Sequence, residues 1–400
     1  MNALNESNDK IKQLLFIVGI IFVAFNLRPS ITAVGPIISD IRLDTGMSNG
    51  LAGMLTTLPL IAFAVLSPLT PRLAQRIGNE WTVLGGLVLL GIGILIRPSD
   101  LIWLLFFGTL LVGAGIAICN VLLPGIVKQK FSTKVGLVTG IYTLSMSFMA
   151  SMGSGVSVPL ARGLGFGWKN SLVFWGILTV LAILVWIPQL RVKSGKLIEP
   201  DPTDRLMWKS KLAWQVTVFM GLQSLLFYCM IAWMPEILFS RGIDMSTAGW
   251  MVSIMQLVGL PSTLIAPYLA DRLSNQRGII MVMGVLYLIG IGFLLIGNHL
   301  LMLSLSILLI GIAQGASISL SLTFLSLRAR NSRQAANLSG MAQSIGYFLA
   351  AVGPFAIGLI FDVFQSWNIS IVILFAVCVI MTLAGIGAGR NEYVLPENGG

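Results

Sequence analysis

The chain has little charge for its length. Of its 400 residues only 10% are Asp, Glu, Lys or Arg and 56% are hydrophobic, whereas a soluble domain carries about 25% charged residues. That deficit excludes an ordinary soluble fold. Histidine is represented once, by His299, and cysteine three times, by Cys119, Cys229 and Cys378, each in a different apolar run. Neither residue type falls at metal-ligand spacing, and no nucleophile motif or Walker A loop is present. The sequence therefore offers no catalytic cluster, no metal site, no cofactor site and no means of using ATP, and an enzyme is not expected. The cysteines read as small buried hydrophobes, and His299 as a solvated loop residue.

What the chain does have is long apolar runs. Crossing a hydrocarbon core of about 30 Å takes about 20 residues of helix, because lipid offers no partner to a backbone N–H or C=O. Twelve stretches meet or approach that length, at 14–39, 51–69, 81–96, 101–127, 135–161, 171–190, 212–235, 247–270, 278–297, 300–327, 335–361 and 369–388. The first exceeds the roughly 7–15 apolar residues of a secretory signal core, so it is expected to be retained. The fold class expected is all-α, a polytopic membrane protein of twelve transmembrane helices.

The net charge of +10 has a different meaning in such a chain than in a soluble one. Of the 25 Lys and Arg, 19 fall in the connections on the side of the termini, five on the other side, and Arg28 on neither. Basic residues accumulate on the cytoplasmic side of membrane proteins. Both termini are thus expected in the cytoplasm, in the cell membrane, with no nucleic-acid partner. The longest connection, 191–211, divides the runs six and six: an amino-terminal half at 1–190, a linker, and a carboxy-terminal half at 212–400. A shift of 196 residues aligns Asp40 with Glu236, Pro71 with Pro267 and Arg76 with Arg272, and a shift of 200 aligns Lys128 with Arg328, Gly140 with Gly340 and Gly153 with Gly353. Two like-oriented six-helix halves, with a site between them near the midplane, is a transporter plan.

The loops "PRLAQRIGNE" (71–80) and "PYLADRLSNQR" (267–277) resemble the loop that marks the major facilitator superfamily, with Gln75 in place of its acidic residue in the first copy. The stretches "NLRPSITAVGP" (26–36), "GMLTTLPLIAF" (53–63), "NVLLPGIVKQKF" (120–131) and "GIAQGASISLSLTFLSLRAR" (311–330) resemble the cyanate and nitroimidazole permease branch of that superfamily. The resemblance implies alternating access of two halves and assigns Arg76, Asp271 and Arg272 to gating.

Arg28 stands alone in the first run. At about 1.5 Å per residue it lies ~24 Å from Lys12 and ~18 Å from Asp40, and no Asp or Glu falls inside any run as bounded above. An arginine at a helix centre costs roughly 2.5–3.5 kcal/mol and nearly always meets a partner or a water-filled cavity. Pro29 and Pro36 have no N–H to give the preceding turn, so this helix is expected to bend. Arg28 is either satisfied by carbonyls and amides or recognises an electronegative solute with its planar fork. Thr32, one turn on, is expected on its face, and Asn26 in a bond between helices. The 196 shift brings Ser224 and Tyr228 into correspondence with Arg28 and Thr32. With Asn120, Gln256 and Gln314, uncharged amides able to read a polar solute, these make up the expected substrate site. Asp40 and Glu236, at equivalent helix ends, are candidates for an outer gate or for capping. Trp233 and Trp250 are expected in the interfacial belt, and Gly113, Gly115, Gly153 and Gly155 at close helix contacts.

The reading that follows is a secondary transporter, monomeric, of a small anionic or polar nitrogen-containing solute, with protons or a counter-anion as coupling partner. An efflux pump for hydrophobic drugs is the alternative, and a membrane receptor or enzyme the different class.

Overall fold

The computed structural model describes residues 2–99, 101–131, 135–191, 207–297, 299–330 and 332–395. Most of the expected linker, 191–211, lies outside them. Among the described residues the chain is helical without strands, and twelve helices are long and apolar enough to span a membrane. They are α1 (Gln13–Thr45), α2 (Asn49–Leu66), α3 (Asn79–Ile96), α4 (Ile102–Val127), α5 (Gly140–Gly163), α6 (Gly167–Leu190), α7 (Lys211–Ser240), α8 (Met245–Arg272), α9 (Arg277–Ile296), α10 (Leu300–Leu327), α11 (Asn337–Phe364) and α12 (Trp367–Ala388). With an even number of spans both termini lie on one face, called here the terminal face; the opposite one is the far face.

Local chemistry explains where several helices start. Ser48, Ser210 and Asp244 each stand in extended backbone and accept from the N–H three residues on, which opens α2, α7 and α8. The observed helices run past some of the expected ends. They take in Asp40, Glu236 and Asp362, all in the last turns before the far face.

The first span is not one helix. Regular helix ends at Asn26, a single turn runs from Pro29 to Thr32, a 3-10 turn from Gly35 to Ile37, and helix resumes from Ile38 to Thr45. Arg28 sits at the break with φ −130° and ψ −42°. The bend expected from Pro29 and Pro36 is thus a full interruption, and it frees carbonyls that neighbouring helices must satisfy. The N–H of Val34 turns to Ile31, so the Ser30 oxygen receives Arg97 Nη1 at 2.7 Å instead. Pro36 leaves the Thr32 oxygen free for the Ser154 hydroxyl at 3.3 Å. Arg97, one residue past the third apolar run, is 1% exposed, and burial pulls its guanidinium down to about 10, which still leaves it charged at neutral pH.

The first six spans meet the last six along α2 against α11 and α5 against α8. Backbone approach there needs glycine. A Cβ on Gly53 would lie 2.4 Å from the Pro354 oxygen; within the first six spans, one on Gly153 of α5 would lie 2.3 Å from Thr32 Oγ1 of α1. Thr57 donates to the Ala351 oxygen at 2.7 Å, and Ser151 meets Ser253 at 2.7 Å. Nearest the far face, Asp362 of α11 accepts from the Asn49 N–H at 2.9 Å, from its Nδ2 at 2.7 Å and from the Gly50 N–H at 2.7 Å. A carboxylate on the first N–H groups of α2 is favoured by charge and by the helix dipole. These contacts lie level with Arg28 or beyond it toward the far face. Toward the terminal face, an added Cβ at Gly140 or Gly340 would meet nothing within 4 Å. The bundle is closed on the far face.

Trp233 corrects an expectation. It is fully buried, its ring N–H donating to the Pro354 oxygen at 2.8 Å, because every residue of α7 from Phe219 to Leu238 is buried and this stretch shows lipid almost no face. Trp250 is exposed, yet Gly155 lies close against its ring.

Candidate solute-binding site

A cavity of about 180 Å³ lies between the two sets of six helices. Arg28, Asn120, Ser224, Tyr228, Gln256 and Gln314 all line it, six of the seven residues proposed for a substrate site from sequence. The break in α1 positions Arg28: with regular helix interrupted on both sides, its side chain leaves the bundle core and reaches α7. There Nη1 donates to Tyr228 Oη at 3.3 Å, and the guanidinium carbon stands 5.2 Å from the Phe227 ring and 5.9 Å from that of Tyr228. The rings stabilise the cation through their faces. No carboxylate ion-pairs with Arg28 among the described residues, so most of its donors are left for whatever enters the cavity.

Around it the uncharged groups are held in place. Gln256 bridges from α8 to Ser154 Oγ of α5 at 2.9 Å, Gln314 donates to Tyr287 Oη at 3.2 Å, and Asn120 sits against the Tyr347 hydroxyl. Met146, Met220 and Met255 supply soft apolar wall. The lining continues through Pro124, Tyr142, Leu322 and Gln343 toward the terminal face, where the helices stand apart. The cavity thus faces the terminal side.

Thr32 is not part of it. It is fully buried and donates to the Ala150 oxygen at 2.8 Å, tying α1 to α5. The expectation that it shares Arg28's face assumed a continuous helix; the interruption turns the backbone between them. Asn26 makes the expected bonds between helices, donating to the Leu178 oxygen at 3.1 Å and accepting from Thr179 at 2.7 Å.

The gating candidates separate into two groups. On the terminal face Arg76 and Asp271 are exposed, and Arg272 lies 4.3 Å over Tyr268. On the far face Asp40 is gripped by Arg162 of α5 at 2.7 and 3.1 Å, a contact within the first six spans and not across to the last six. Glu236, only 9% exposed, is what the last six spans contribute there; it stands beside Arg42, Ser39 and Arg162. Sequence reasoning passed over Asp362 and Phe227, and noted Gln223 only as one of several polar residues inside the apolar runs. For Asp362 a signal existed: the shift of 200 residues pairs it with Arg162, also at the far end of its helix.

Twelve spans, a broken first helix and a cavity between two six-helix sets define a membrane transporter. The family model of the Major Facilitator Superfamily matches residues 15–354, and the chain belongs to that superfamily: it is a multi-pass membrane transporter of a small molecule, not an enzyme. Within it the chain falls in the branch of the cyanate and nitroimidazole permeases. The "Uncharacterized transporter YycB" of Bacillus subtilis (strain 168) is 54% identical over 97% of this chain and 96% of its own length. The "2-nitroimidazole transporter" of Escherichia coli (strain K12) is 38% identical over 96% and 97% respectively. The solved structure of a D-xylose-proton symporter shares the fold, with a TM-score of 0.75 at 15% identity over 96% of this chain and 98% of that one.

Proposed function

We propose that this transporter moves a small planar solute, anionic or a polar nitrogen compound with an electronegative group, by alternating access of the halves 1–190 and 212–400 around Arg28. The observation that carries the proposal is the Arg28 guanidinium, in the cavity wall without an ion-pair partner among the described residues and backed by two aromatic rings. Such a fork suits a nitro, carboxylate or cyanate group through paired hydrogen bonds, while Tyr228 and Tyr347 offer surfaces to a flat ring. The nitroimidazole relative supports the same chemistry. Asn120, Ser224, Gln256 and Gln314 complete the site in this reading. A cavity of about 180 Å³ is smaller than the roughly 300–1,000 Å³ of drug-sized sites, and nothing favours the efflux of bulky hydrophobic compounds.

In this proposal Asp362, Glu236 and Asp40 belong to the far-face gate, and Arg76, Asp271 and Arg272 to the gate on the terminal face. The basic bias of the loops places that face in the cytoplasm, making this conformation open inward. The protein acts as a monomer in the cell membrane, with a proton or a counter-anion as coupling partner. The test is uptake of 2-nitroimidazole and of cyanate into proteoliposomes by wild type, Arg28→Lys and Arg28→Ala. Uptake of either solute that Arg28→Ala abolishes supports the proposal; wild-type rates in Arg28→Ala refute it.

A further inference from the structure

Gln223 lies on α7 four residues before Phe227, about 6 Å along the helix axis from the residue whose ring lies beneath Arg28. It lines the cavity, is 4% exposed, and gives its amide Nε2 to Ser224 Oγ at 2.7 Å. Its Oε1 has no hydrogen-bond partner among the described residues. Gln256, Gln314 and Gln343 of the wall likewise donate their amide nitrogens, to Ser154, Tyr287 and Ser339; what sets Gln223 apart among the described residues of the wall is an amide oxygen that is both buried and unpartnered. Folded proteins seldom keep a buried acceptor unpaired without a use for it, and this one borders the same cavity as Arg28, a cation that is all donor.

Resting on the reading above, we infer that Gln223 accepts a ring N–H of the solute, so that the site selects planar N–H heterocycles bearing an electronegative substituent over simple anions. The two polar ends are complementary. Arg28 supplies donors only, and the Gln223 carbonyl is an acceptor only. A solute that satisfies both must carry an acceptor and a donor on one small frame, which an N–H azole with a nitro or carboxylate group does and cyanate does not. The amide oxygen is shielded by its neighbours in this conformation, so the solute displaces them on entry, and only a donor gives back a hydrogen bond. A site with a buried polar group rejects the analogue that cannot pair with it, here by roughly 5- to 150-fold.

The experiment is calorimetric titration of the purified full-length protein with 2-nitroimidazole, with 1-methyl-2-nitroimidazole and with cyanate. Wild type is expected to bind the N–H azole at least ~5-fold more tightly than its N-methyl analogue. Gln223→Met, close in volume but without an acceptor, is expected to erase the preference by weakening the first and sparing the second. Gln223→Glu, which retains an acceptor, keeps it. Equal wild-type affinity for the two azoles overturns the inference, and so does a preference that survives in Gln223→Met, since that is steric exclusion of the methyl group. Binding of cyanate but of neither azole overturns the role of Gln223 and leaves the anion reading of Arg28 standing. Binding of none of the three overturns both.

Discussion

Replacing Arg28 with methionine separates the energetics of folding from those of transport. Placing an arginine at this depth costs roughly 2.5–3.5 kcal/mol. In return the side chain has one long hydrogen bond, at 3.3 Å to Tyr228 Oη, and two ring contacts at 5.2 and 5.9 Å. A charge-assisted bond is worth about 1.5–3 kcal/mol, with this length placing it at the lower end, and each ring contact about 0.5–1 kcal/mol. Cost and return differ by less than about 1 kcal/mol, so without solute the Arg28→Met protein should unfold within about 2–4 °C of wild type. Solute binding has no such cancellation. Losing the charge-assisted bonds from the fork removes about 1.5–3 kcal/mol, or roughly 10- to 150-fold in affinity. Arg28→Lys keeps the charge without the fork and should fall between. The measurements are thermal unfolding in detergent and concentration-dependent uptake of 2-nitroimidazole into proteoliposomes. A variant that unfolds far below wild type while transporting normally, once folded, reverses both expectations and makes Arg28 a structural residue.

Asp362→Ala removes three hydrogen bonds from the start of α2, and should loosen the far-face closure; labelling of a single cysteine at the buried Ala248 by a membrane-impermeant maleimide is expected to rise several-fold, and unchanged labelling refutes the latch. Gly53→Leu sets a side chain against the Pro354 backbone, where even a Cβ would lie 2.4 Å from the oxygen; the same labelling should rise while transport is lost, and normal transport would show that the α2–α11 contact tolerates bulk. Thr32→Val should cost about 0.5–1.7 kcal/mol of stability, the range for hydrogen bonds between membrane helices, and leave the solute Kd unchanged; a weakened Kd would return Thr32 to the site.

The chain's class was legible in its residues. Apolar runs of membrane-spanning length, basic residues gathered on alternate connections and one intramembrane cation pointed to twelve spans and to Arg28 as the site's centre. The twofold shift also brought Ser224 and Tyr228 to notice, and both line the cavity with Arg28. What failed was extrapolation along a helix that is not continuous. Thr32 was placed by the helical repeat across Pro29, and the interruption there invalidates the repeat. Trp233 was placed by its nearness to a helix end, a guide that holds only where a helix faces lipid.

The sequence by itself determined the spans, their even number and a bend in the first, since exclusion of charge from lipid and the missing proline N–H act locally, residue by residue. It also isolated Arg28, because a charge without a carboxylate in any apolar run shows in one dimension. Tertiary structure decided what Arg28 meets, that the Gln223 oxygen is buried without a partner among the described residues, and that Asp362 meets Asn49 near the far face. Those depend on the rotation and offset of helices that lie 200 or 313 residues apart in the chain at their points of contact. Rotation and offset are set by packing at glycines such as Gly53 and Gly153, where backbones approach too closely for any side chain, and no local pattern records which partner lies opposite.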